Sequence, residues 1–183
     1  MKILIVVDAQ NDFISGVLGT PEAEAAIPYI TEKVNEADDN TLIVYTRDTH
    51  YANYLDTPEG KKLPIEHCIE GTNGWQIDSR VYKDDCLILN KHTFGIRNWD
   101  NILDDIYPVL DIYPITDSLE EIELCGFCTD ICVISNALNL QSYFHTAGVP
   151  ITVDAKACAG VTPEKHNAAL DVMESCQINV INR

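Results

Sequence analysis

Six short apolar runs recur along the chain: KILIVV at 2–7, TLIVYT at 41–46, CLILN at 86–90, IELCGF at 122–127, PITVD at 150–154 and INVIN at 178–182. None alternates apolar with polar residues, as a strand with one wet face would. Continuous Ile-, Val- and Leu-rich runs of this length belong to strands covered on both faces. The covering elements are visible between them. Ala23, Ala26, Ile27, Ile30 and Val34 recur at helical spacing, as do Val133, Ala137, Leu140 and Phe144. Ala169, Val172, Met173 and Cys176 form a third stripe, and Pro163 behind the candidate cap Thr162 marks its start. Strands alternating with helices predict an α/β domain: a mostly parallel sheet of about six strands with helices on both faces. At 183 residues, with no internal repeat or low-complexity tract, residues 1–183 read as one domain.

In such sheets ligands bind beyond the carboxyl ends of the strands. That rule orders the chemistry along this chain. Asp8 follows the first run, Asp48 and His50 the second, Lys91 the third, and Cys128 to Cys132 the fourth. Four strand ends therefore bring polar or reactive groups to one edge. Residues 47–85 form a long connection with few helical signals, and a connection of that length inside a compact domain usually carries function. Residues 107–120 read as a surface insertion.

Charge removes two classes of partner. The formal net charge is -17, which repels a phosphate backbone or an anionic membrane. The N-terminal apolar run is too short for a leader or a membrane span and stops at Asp8. The expected compartment is the cytoplasm, where seven cysteines stay mostly reduced. Cys86, Cys158 and Cys176 lie in or beside apolar runs and are expected to be buried core thiols.

Cys125, Cys128 and Cys132 cluster within LCGFCTDICV. Cys125-Gly-Phe-Cys128 has CxxC form, but Cys125 falls inside the strand rather than at a helix start, which weighs against a redox pair. A zinc knuckle needs a second CxxC, and the chain has none. Thr129 or Asp130 is a suitable N-cap for the following helix, which places Cys132 in the first turn. Unpaired N–H groups there favour a thiolate and can hold an oxyanion. A thiol packed beneath the helix explains this segment equally well. Asp8 as a helix cap and Lys91 as a solvated strand end are similarly ordinary taken singly. Acid, lysine and thiol converging from three strand ends is not: a carboxylate can take the thiol proton and later protonate a leaving amine.

These motifs together resemble the isochorismatase-like cysteine hydrolases, and within them the nicotinamidases. VVDAQNDF resembles the family's acid motif with Asp8, NKHTF its lysine motif with Lys91, and GFCTDICV its nucleophile motif with Cys132. VDAKACAGVTPEKHNAALDVM resembles its C-terminal strand and helix. The resemblance implies a Rossmann-like fold and amide hydrolysis through a thioester, with nicotinamide the expected substrate. Another family amidase acting on a carbamoyl or ureido compound is the alternative. It also implies a cis peptide at Phe127–Cys128, catalytic roles for Asp8, Lys91, Cys132 and the Cys128 N–H, and a homo-oligomer.

A metal site is the remaining expectation. Asp48 and His50 stand two apart after the second strand, so both side chains can face one way. His67 follows in the long connection, with Glu59 between them. Carboxylate and imidazole donors suit zinc first, and manganese or iron. The resemblance carries a divalent metal onto Asp48, His50 and His67, with Glu59, Asp56 or Glu66 as a fourth ligand. Phe13 and Phe94 are candidates for stacking on the substrate ring. The run Leu63-Pro64-Ile65-Glu66-His67 departs from the family, which often places an aromatic residue shortly before that histidine.

Overall fold

A computed structural model describes residues 1–106 and 119–183. In chain order the elements are β1 (Lys2–Val7), the single turn α1 (Asn11–Ile14), α2 (Pro21–Glu36), β2 (Thr41–Asp48) and β3 (Leu87–Lys91). They continue with α3 (Trp99–Ile106), β4 (Glu121–Phe127), α4 (Ile134–Phe144), β5 (Ile151–Ala159), α5 (Pro163–Ser175) and β6 (Asn179–Ile181). All six apolar runs are strands. The connection between β2 and β3 holds only a 3-10 turn at Tyr54–Asp56, as its composition predicts. The expected insertion at 107–120 lies mostly outside the described residues.

The strands form one sheet in the order β3-β2-β1-β4-β5-β6, with every pairing parallel. The chain builds outward from β1 to β3, then crosses back to lay β4 against the other side of β1. This order, that of the dinucleotide-binding folds, reverses direction between β1 and β4, and a crevice opens there at the carboxyl ends. Ile3 to Val7 are buried without interruption, because helices cover the sheet on both faces. Helix α2 packs against β4 and β5, while α4 packs on β5 between α3 and α5. Thr20 caps α2, its Oγ1 accepting the Ala23 N–H at 3.0 Å, and Thr162 caps α5 in the same way through the Lys165 N–H. Among the described residues no helix is long and apolar enough to cross a membrane.

Two expectations about packing fail. In α5 the buried stripe is Ala169, Leu170 and Met173, while Val172 and Cys176 face outward. The stripe is turned by the register that Thr162 and Pro163 set. Of the three thiols expected in the core, only Cys158 is fully buried; Cys86 is half-buried and Cys176 exposed. The last two lie at the ends of elements, Cys86 just ahead of β3 and Cys176 at the C-cap of α5.

Gly126 is the residue on which the site's placement turns. Its φ is +115° and an added Cβ would lie 2.0 Å from the Val7 carbonyl oxygen. Only glycine permits β4 to approach β1 this closely with that backbone. The β4–β5 register slips between Leu124 and Gly126, which turns the end of β4 toward the crevice.

Candidate active site and metal centre

Asp8 leaves β1 in the left-handed region, with φ +47°. A non-glycine residue there stores strain and is held by its surroundings. Thr46 of β2 does the holding: its Oγ1 donates to Asp8 Oδ1 at 2.7 Å, and its carbonyl accepts the Asp8 N–H at 3.1 Å. Lys91 Nζ, arriving from β3, lies 2.7 Å from Asp8 Oδ2 and 3.2 Å from Asp48 Oδ1. The same Nζ is 3.5 Å from Cys132 Sγ. Asp8, Lys91 and Cys132, separated by most of the chain, thus meet in one buried group.

Burial pushes the Asp8 carboxyl above its ordinary value, and the Lys91 ammonium opposes this without cancelling it. Burial also acts on Asp48, but the His50 imidazole beside it and the charge of Lys91 hold that carboxyl low. Of the two acids facing Lys91, Asp8 is therefore the one disposed to accept a proton. Burial works against the Lys91 charge, yet the Asp8 and Asp48 carboxylates keep it well above the usual lysine value. At Cys132 burial first, then the nearby carboxylates, push the thiol well above its ordinary value despite Lys91. Full enclosure outweighs the helix-end potential, so ionisation needs a base.

The turn that carries Cys132 differs from the expected cap. The Phe127–Cys128 peptide is cis, as the family resemblance implies. Thr129–Val133 then form a single π-helical turn ahead of α4, with Cys128 at its N-cap and no side-chain cap bond. The fully buried Thr129 and the half-buried Asp130 reach the C-terminal segment instead. Thr129 Oγ1 meets His166 Nδ1 of α5 at 2.8 Å, and Asp130 Oδ1 accepts the Val161 N–H at 2.9 Å. Among the described residues the Cys128 N–H has no hydrogen-bond partner. All seven cysteines are free thiols.

Beside the buried group lies the donor set expected for a metal. One ligand atom from each of Asp48, His50 and His67 lies within 4.8 Å of the others. His50 Nε2 faces Asp48 Oδ2 at 3.0 Å and Glu59 Oε1 at 3.6 Å, yet it is a buried atom with no hydrogen-bond partner among the described residues. An orphaned ring nitrogen aimed at two carboxylates and a second imidazole is what a cation resolves. His67 Nδ1 donates to the Ile65 carbonyl at 2.8 Å, which leaves its Nε2 lone pair toward the set. The residues therefore fit a divalent ion. Glu59 stands at the edge, its Oε1 4.0 Å from His67 Nε2; Asp56 and Glu66 are exposed. Asp48 belongs to both groups, one oxygen on Lys91 and the other on His50.

A cavity of about 570 Å³ opens onto both groups and is lined by Asp48, Glu59, His67, Cys128 and Cys132. Phe13 and Phe94 also line it. Phe13 is buried with its ring 5.6 Å from that of His67, whereas Phe94 is half exposed at the rim.

Sequence reading missed the residues that hold this arrangement. Gln10 Nε2 donates to the carbonyls of Asp48 and Trp75, and its Oε1 accepts the Asp48 N–H. Asp12 accepts the N–H of Cys68 at 2.8 Å, fixing the chain beside His67. Thr46 and His166 complete the set. A signal existed for two of them: Gln10 and Asp12 are polar residues within five positions of the end of a buried strand.

The isochorismatase-domain family model matches residues 2–183. The chain belongs to the isochorismatase family. It is 27% identical to the nicotinamidase of Saccharomyces cerevisiae, covering 100% of each chain. It is 25% identical to the nicotinamidase/pyrazinamidase of Mycobacterium tuberculosis, over 99% of this chain and 98% of that one. Among solved structures, the pyrazinamidase of Pyrococcus horikoshii in complex with zinc superposes with a TM-score of 0.79 at 27% identity, covering 100% of this chain and 99% of that one.

Proposed function

We propose that this isochorismatase-family protein is a cysteine-dependent amidohydrolase of the nicotinamidase type, converting nicotinamide and water to nicotinate and ammonia. One observation carries the reading: Lys91 Nζ lies 2.7 Å from Asp8 and 3.5 Å from Cys132, and Cys132 lines an open cavity. Nicotinamidase relatives aligned over the full chain support the amide substrate.

Asp8 takes the proton from Cys132, and the sulfur attacks the amide carbon. The N–H groups of Cys128 and Cys132 donate to the oxyanion that develops. Asp8 then returns the proton to the departing ammonia, leaving an acyl-thioester on Cys132. Water, deprotonated by the same carboxylate, releases the acid and restores the thiol. Lys91 keeps Asp8 oriented and ionised at the moments it must act as base. Asp48, His50 and His67 would hold a divalent metal, zinc by its donor set, with Glu59 at its edge. When bound, such an ion supplies a Lewis-acid anchor for a ring nitrogen, a positioning role. Phe13 and Phe94 pack against the ring.

Ammonia release over a panel of pyridine, pyrazine and ureido amides tests the reading. Cys132→Ala is expected to lower kcat by roughly a thousandfold or more. Full activity in that variant overturns the mechanism. Turnover of ureido compounds alone keeps the mechanism and replaces the substrate.

A further inference from the structure

The cavity is larger and less polar than a carboxamide on one small ring requires. Its volume of about 570 Å³ equals on the order of twenty waters at roughly 30 Å³ each, and lies within the range of roughly 300–1,000 Å³ typical of pockets for drug-sized ligands. The polar groups that the proposed chemistry uses are gathered at Cys132 and at the Asp48–His67 set. Much of the remaining wall is hydrocarbon, from Leu18, Leu63, Phe94, Ile131, Ala159 and Val161. These come from five separate segments: the chain before α2, the β2–β3 connection, the stretch after β3, the turn after β4, and the end of β5 with the chain that follows it. Phe94 and Val161 are themselves nearly half exposed, so the apolar wall continues to the rim.

A wall of this kind selects by burying carbon. Thr20, Lys62, His92 and Thr93 also line the cavity, but a polar extension laid against Leu63, Ile131 and Val161 would lose its water and find no partner in those side chains. An apolar extension would gain contact at each added carbon. We infer that the site takes amides whose acyl part carries an apolar substituent beyond a single ring, held between Leu63, Ile131 and Val161. The inference rests on the amidase reading above and narrows its substrate class.

The test compares nicotinamide with its 5-propyl and 6-propyl derivatives, the two positions sampling different walls. At least one derivative is expected to exceed nicotinamide tenfold or more in kcat/KM. Val161→Trp, which fills the cavity, is expected to bring that ratio close to one. Two derivatives no better than nicotinamide, or a ratio that Val161→Trp leaves unchanged, overturn the inference while leaving the amidase reading intact. Titration calorimetry on Cys132→Ala separates the two claims. If the wild type releases ammonia from none of the three amides, the amidase reading falls. Tenfold tighter binding of a propyl derivative to Cys132→Ala then still supports the apolar subsite, and equal or weaker binding overturns it.

Discussion

Asp8 combines a conformation that side-chain-bearing residues rarely adopt with a fully buried carboxyl. Both features come from its neighbours. Thr46 fixes one oxygen and Lys91 the other. Asp8→Asn keeps the shape and removes the base, so kcat is expected to fall about 10²–10⁴-fold in protein whose circular dichroism matches the wild type. Retention of more than a tenth of the activity would assign proton transfer to another group. Gly126 makes the opposite case, a residue defined by what it lacks. In Gly126→Ala the new methyl collides with the Val7 carbonyl in a backbone region that alanine disfavours. The expected loss is about 3 kcal/mol or more, read as a shift in the urea midpoint. A loss under about 1 kcal/mol would show that β4 can move away from β1 without cost.

The turn that carries Cys132 is held from outside by α5 and the chain before it. Thr129 bonds His166, and Asp130 bonds the Val161 N–H, so the π-helical turn is pinned at two successive residues. Burial lowers His166 below its ordinary value of 6.5, Asp130 opposes this, and Arg183 adds to it. A histidine depressed in the folded state binds fewer protons there than in the unfolded chain. Its contribution is therefore present above pH 6.5 and is lost as pH falls from there toward the folded value. Denaturant midpoints of the wild type should drop across that window, and those of His166→Asn should drop less. Identical pH slopes for the two proteins would remove His166 from the clamp.

At the scale of the whole molecule, the Asp48–His50–His67 set ties the long β2–β3 connection to the sheet. A metal bound there is linked to folding. At a concentration one hundred times its Kd it adds about 2.7 kcal/mol, or roughly 5–10 °C in Tm for a chain of this size. Zinc added to chelator-stripped protein should produce that rise, and His67→Ala should abolish it. An unchanged Tm on zinc addition would show that the set does not hold the ion.

The strands, the helical stripe of α2, the parallel architecture and the strand-end positions of Asp8, Asp48, Lys91 and Cys132 were legible in the sequence. Burial on two faces and helical spacing are local patterns, written in adjacent residues. So were the donor types of the metal set. Tertiary structure alone decided that Asp48 touches both Lys91 and His50. It also decided that Gln10 and Thr46 hold the two acids, and that Thr129 reaches His166 rather than capping its own helix. It likewise decided the balance of effects on the Cys132 thiol. A helix-end potential is readable from one segment, but desolvation depends on everything folded around the thiol, and here it is the larger effect.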